Sequence, residues 1–258
     1  MERHPQTTPG ATGVREPAPG RDALYAAPLA TQLPFRFDAA VADVFQDMIS
    51  RSVPGYGLTL QMLAVAARRF AQPGSACVDL GCSLAASTLA MRHHVPAGVH
   101  LLGVDNSQAM IERARALIAR DSAQAAVELR CADILDVELP RASLAALNFT
   151  LQFVPLAERA GLLSRIAAAL LPGGALVLSE KLAFEDPAEQ ELLGELHHGF
   201  KAQQGYSALE IAQKRNAIEN VLVPESLRTH RQRLHEAGFS RVTVWLQCLN
   251  FVSLLAIR

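Results

Sequence analysis

The chain has 258 residues, 50% hydrophobic and 19% charged, which suits one large α/β domain or two small ones and excludes a disordered chain. Its 24 Lys+Arg and 25 Asp+Glu leave a net charge of -1, so no global field draws it to nucleic acid or to an anionic membrane. The longest apolar stretch, residues 242–257, is broken by Gln247, Asn250 and Ser253 and cannot be a membrane span.

Residues 1–20 carry Pro5, Pro9, Pro17 and Pro19 with Gly10, Gly13 and Gly20, a composition that predicts a disordered tail. With Glu2 and Pro5 where a signal peptide needs apolar residues, the expected location is the cytoplasm. Residues 21–258 read as one domain. Behind Asp38 as N-cap, Val41, Val44, Phe45, Met48 and Ile49 recur at helical spacing. A second helical stretch follows Pro54-Gly55, so residues 38–70 form a helical N-terminal segment with Tyr56 in the link.

Short apolar runs then alternate with helical patterns. Strands are expected over 76–80, 99–104, 127–131, 144–149 and 174–178, and helices over 84–92, 108–120 and 158–171, the last closed by Pro172-Gly173-Gly174. This rhythm predicts a doubly wound, mostly parallel sheet of Rossmann type. Residues 186–224 break it, being polar and helical, and read as an insertion or lid. Two strands near 242–247 and 251–257, with a bend at Asn250, close the chain with an antiparallel C-terminal element. The four cysteines, Cys77, Cys82, Cys131 and Cys248, contain no CxxC and predict buried thiols and no metal site.

The string Val78-Asp79-Leu80-Gly81-Cys82-Ser83 puts Gly81 between a strand and a helix, where a nucleotide-type cofactor meets such a sheet. A plain strand-to-helix turn would read the same way. Ser83 and Ala85 stand where dinucleotide loops have glycine, which disfavours a pyrophosphate. Asp105 ends the next strand, 24 residues beyond Gly81, and can accept both hydroxyls of a ribose; alternatively Asp105-Asn106-Ser107 only caps a helix. Asp133 with Ile134 ends the third strand and could take an adenine amino group and ring, or be a loop acid. Asn148 ends the fourth strand without the prolines common in methyltransferases acting on amines.

In the insertion, a helix would put Ile211, Arg215, Ile218 and Leu222 on one stripe. Arg215 is then either a snorkelling stem or a fork for a carboxylate in a partly dry site. His197 and His198 read as packing or surface residues. No Ser-His-Asp order, HExxH or paired acids support hydrolysis.

The strings RSVPGYG, VDLGCSLAAST, GVDNSQAMIERAR, LNFTLQF, LPGGALVLSEK, HHGFKAQQGYSALEIAQKRNAIENV and WLQCLNF together resemble the carboxy-S-adenosyl-L-methionine synthase family, within the class I methyltransferase-like fold. The likeness runs from about residue 21 to the C-terminus. It implies an enzyme that uses S-adenosyl-L-methionine and prephenate to make carboxy-S-adenosyl-L-methionine and phenylpyruvate. The product would feed a downstream carboxymethyltransferase acting on tRNA wobble uridine. By position, cofactor contacts would be Tyr56, Gly81, Cys82, Ser83, Asp105, Asn106, Asp133, Ile134 and Asn148, with Arg215 as the catalytic contact to the added carboxylate. The resemblance also implies a homodimer, no metal and no direct nucleic-acid binding. Ala85 departs from the glycine expected in the family loop. An ordinary methyltransferase and a non-catalytic cofactor-binding partner are the competing readings.

Overall fold

The computed structural model describes residues 20–28, 34–218 and 221–258. The tail expected over residues 1–20 lies, except for Gly20, outside them. Helices α1 (Ala39–Ser52) and α2 (Tyr56–Phe70) open the fold. Asp38 caps α1 by accepting the Val41 N–H, as its residue type predicts. Tyr56 is not in the link but begins α2, directly behind Gly55 in a left-handed turn.

Five parallel strands follow, β1 (Ala76–Leu80), β2 (His100–Asp105), β3 (Val127–Cys131), β4 (Ala142–Asn148) and β5 (Leu170–Lys181), joined by α3 (Ala86–Arg92), α4 (Gln108–Arg120) and α5 (Arg159–Ala169). Then come α6 (Pro187–Gln203), α7 (Ala208–Ile218), α8 (Leu227–Glu236), β6 (Arg241–Cys248) and β7 (Phe251–Ile257). The sheet order is β3-β2-β1-β4-β5-β7-β6, with β7 antiparallel to both neighbours. The chain order reverses between β1 and β4, which opens a crevice beyond the carboxyl ends of the strands.

Side-chain alternation divides the core into two layers. Val78, Leu80, Leu102 and Leu147 face α5 and α8 through Leu162, Leu163, Ile166 and Leu234. Cys77, Leu101, Leu144 and Ala146 face α2 and α3 through Leu63, Ala67 and Met91. A register shift between Ala142 and Leu144 resets β4, so that Ala142 and Leu144 serve opposite layers although they are two residues apart. A third cluster joins Val41, Ala42 and Met48 of α1 to Met110 of α4 and Ala217 of α7, closing the N-terminal segment over the crevice.

Three details depart from the sequence reading. Pro172-Gly173-Gly174 does not end a helix but lies inside β5, because Leu170 already pairs with Ala142 and Arg258 exchanges backbone hydrogen bonds with Gly173 and Gly174. Helix α8 carries only Leu227 and Leu234 as large apolar residues, too sparse to register as a helical stripe. In helix α7 the described residues run to Ile218, and Arg215 is exposed on it although its spacing predicts an apolar stripe. No helix among the described residues is long and apolar enough to cross a membrane.

Candidate active site

The crevice is a cavity of about 530 Å³, within the range of small-molecule sites. Its floor is built from successive strand ends: Gly81 after β1, Asp105 on β2, Asp133 and Ile134 after β3, Asn148 on β4 and Lys181 on β5. Tyr56, Cys82, Ser83 and Asn106 line it as well. Nine of the ten residues singled out from the sequence therefore meet in one cavity, and the exception is Arg215.

The β1–α3 loop holds its shape through the backbone. The N–H groups of Gly81 and Cys82 both donate to the Val104 carbonyl, at 2.8 and 2.9 Å. Gly81, Ser83 and Ala85 all have positive φ, at 78°, 48° and 63°. Ser83 and Ala85 thus adopt the conformation glycine favours, which bends the loop without glycine's freedom. At Gly81 itself a Cβ would collide with the Thr150 side chain, so any larger residue would force a shift there.

Asp105 is buried and serves two backbone groups: Oδ2 accepts the Ser83 N–H and Oδ1 the Ser107 N–H, each at 2.9 Å. Burial pushes its carboxyl upward and these two hydrogen bonds oppose the shift. Ser107 caps α4 through Met110, so the capping role expected of this run falls to Ser107 and leaves Asp105 facing the cavity. Asp133 is exposed and accepts the Leu135 N–H at 2.9 Å, while Ile134 is buried beside it.

Under the loop, Asp79 is buried and accepts the Thr88 hydroxyl at 2.6 Å; burial raises its carboxyl to about 6. Burial and that carboxyl together raise the phenol of Tyr56, whose ring lies 6.3 Å from that of Phe149. Cys82 is buried and its thiol is pushed upward, first by burial, so it stays protonated. Asn148 donates through Nδ2 to Ser87 at 3.1 Å, and its Oδ1 is buried with no protein partner. An orphaned acceptor in a cavity wall, beside a glycine cradle and a ribose-type acid, fits an adenosine cofactor carrying hydrogen-bond donors.

Sequence reasoning missed the opposite end of the cavity, where Lys181 on β5, Lys201 on α6 and Lys214 on α7 converge with His197. Lys214 is buried and ion-paired to Asp22 at 3.3 Å; Tyr206 donates to the same carboxylate at 2.5 Å. Asp22 and Lys214 have no motif, and lie 192 residues apart in sequence. His197 is buried, lies edge-on to Phe251 and donates through Nε2 to the Ser52 carbonyl at 2.8 Å. Burial, then Lys201, lowers its imidazole to about 3, so it is neutral.

Arg215 is exposed and does not line the cavity of its own chain. The inward side of α7 is formed by Gln213, Lys214 and Ala217, which turns the residue after Lys214 by about 100° toward solvent. Of the expected stripe, Ile218 and Leu222 line the cavity and Ile211 is half-buried, whereas Arg215 points away from it.

A family model described as a methyltransferase domain matches residues 77–174, the loop and strands that carry the floor. The carboxy-S-adenosyl-L-methionine synthase of Marinobacter nauticus is 60% identical over 225 residues, 87% of this chain and 90% of the relative. That of Yersinia enterocolitica is 51% identical over 98% of this chain and 94% of its own. Human N-acetylserotonin methyltransferase, solved with its cofactor, shares the fold at a TM-score of 0.59 and 18% identity, covering 85% of this chain and 55% of that one. With identity at this level along nearly its whole length, the chain belongs to the family of carboxy-S-adenosyl-L-methionine synthases, enzymes built on a methyltransferase-like fold.

Proposed function

We propose that the chain converts S-adenosyl-L-methionine and prephenate to carboxy-S-adenosyl-L-methionine, phenylpyruvate and water. The reading is carried by the 60% identity to a synthase of that name, together with a cavity lined by nine of the expected contact residues. Asp105 accepts the ribose hydroxyls, Asp133 the adenine amino group, and Ile134 packs on the adenine ring. The Gly81-Cys82-Ser83 loop passes close to the methionyl part, and Asn148 and Tyr56 hold its far end. The orphaned Oδ1 of Asn148 receives a donor there.

A bound sulfonium supplies an acidified methyl group, which can lose a proton and take up carbon dioxide. Prephenate balances the reaction: its ring carboxylate leaves as carbon dioxide, its ring hydroxyl leaves with the methyl proton as water, and the ring becomes aromatic. No strong protein base is then required. The buried neutral His197 and the protonated Cys82 add no competing charge, and α1, α6 and α7 keep bulk water from the reacting carbon. Arg215, exposed on α7, reaches the new carboxylate of a second copy in a homodimer. The product is passed to a carboxymethyltransferase acting on tRNA wobble uridine.

The test is product analysis. Protein incubated with both substrates should yield phenylpyruvate and a cofactor heavier by one carboxyl group, and omission of either substrate should yield neither. Demethylated cofactor formed without prephenate would support an ordinary methyltransferase instead.

A further inference from the structure

The cavity is electrically divided. Its lining acids, Asp105 and Asp133, stand at the ends of β2 and β3, whereas its lining lysines, Lys181, Lys201 and Lys214, come from β5, α6 and α7. Asp105 and Lys181 are three strand spacings apart, on the order of 14 Å. Lys214 is balanced by Asp22. Lys201 is not: among the described residues its ammonium makes no hydrogen bond or ion pair, and the charges that shift it are those of Lys214 and Lys181. Burial first, and then Lys214 and Lys181, lower it to about 7. A purely structural lysine in such a place would snorkel to water or pair with an acid. This one lies in the cavity wall instead, beside the neutral His197.

A sulfonium bound between these two ends would meet the acids on its ribose side and a cationic wall on the other. That wall repels a cation and attracts an anion placed between the two. We propose that Lys201 binds a carboxylate of the anionic cosubstrate and holds it at the lysine end of the cavity. The assignment rests on the reading above, because prephenate is the dicarboxylate that would occupy this place. Lysine suits the task as a compact point charge that can follow a carboxylate through the reaction. Lys201 is thereby a specificity-determining contact for the second substrate and has no part in holding the first.

Calorimetric titration of prephenate into the full-length protein saturated with S-adenosyl-L-homocysteine, which has no methyl group to carboxylate, tests this. Lys201→Gln should weaken prephenate binding about ten- to a hundred-fold, the loss expected for one hydrogen bond to a charged group. Its affinity for S-adenosyl-L-methionine alone should be unchanged or tighter, since a repelling charge is gone. Lys201→Arg should recover most of the prephenate affinity. Unchanged prephenate affinity in folded Lys201→Gln would overturn the assignment while leaving the synthase reading intact. Parallel loss of both ligands would assign Lys201 a packing role and also overturn it. Failure of the unaltered protein to bind prephenate would overturn the reading and the assignment together.

Discussion

The backbone N–H of Ser83 donates to Oδ2 of Asp105 at 2.9 Å, so the loop after β1 and the acid at the end of β2 form one hydrogen-bonded unit. Asp105→Ala therefore removes the proposed ribose acceptor and also frees the loop. Affinity for S-adenosyl-L-methionine should fall about ten- to a hundred-fold, or roughly 1.5–3 kcal/mol. Asp105→Asn keeps one acceptor oxygen and should lose less. Calorimetry on folded variants checks both, and an unchanged affinity in Asp105→Ala would remove Asp105 from the cofactor site.

Gly81→Ala should destabilise the protein and weaken the cofactor for two separable reasons. The new methyl group strikes Thr150, and a left-handed φ of 78° costs a Cβ residue about 1–2 kcal/mol. The double variant Gly81→Ala, Thr150→Gly should recover only the part due to the collision. Full recovery in thermal melts would show that backbone strain contributes nothing there.

Glu180 offers a test by pH. It is fully buried, accepts the Leu151 N–H at 3.0 Å through Oε1, and leaves Oε2 without a partner. Burial raises its carboxyl from 4.5 to about 8, against the pull of Arg159. The folded protein thus holds this proton more tightly than the unfolded chain, and stability falls as pH rises from 4.5 through about 8. Glu180→Gln, which keeps the acceptor, should flatten that decline. The variant should melt above the parent at pH 9, by on the order of a few kcal/mol, and the advantage should vanish toward pH 4. Parallel melting profiles for the two proteins would contradict it.

The sheet was legible because its strands are short apolar runs with turn residues between them, and the floor of the cavity because its main candidate residues sit at strand termini. The rule that doubly wound sheets bind ligands there made Gly81, Asp105 and Asp133 candidates, with turn, cap and loop readings left open, and the family resemblance added Asn148. The lysine end was not legible. Lys181, Lys201 and Lys214 belong to three elements with no shared spacing, and only the folded cavity wall unites them. Arg215 departs from its expected stripe for a related reason. Its helix buries Lys214, whose charge is compensated by Asp22, and hydrophobicity alone does not reveal that choice of face. Asp22 itself lies just beyond a polar tail, where nothing marks it as buried.

Because Arg215 is exposed, Arg215→Lys should leave thermal stability within about 0.5 kcal/mol. It should also leave affinity for plain S-adenosyl-L-methionine intact, yet lower the preference for the carboxylated form, since an ammonium lacks the two-pronged geometry. Competition titration of the two cofactors measures this. Equal affinity losses for both would remove Arg215 from the carboxylate.

The most direct measurement follows the carbon itself. Prephenate labelled in its ring carboxylate is incubated with the protein and unlabelled S-adenosyl-L-methionine, and the cofactor is recovered and weighed by mass spectrometry. Label should appear in the cofactor, in step with phenylpyruvate released. Cofactor without label, from folded protein that has bound both substrates, would contradict it.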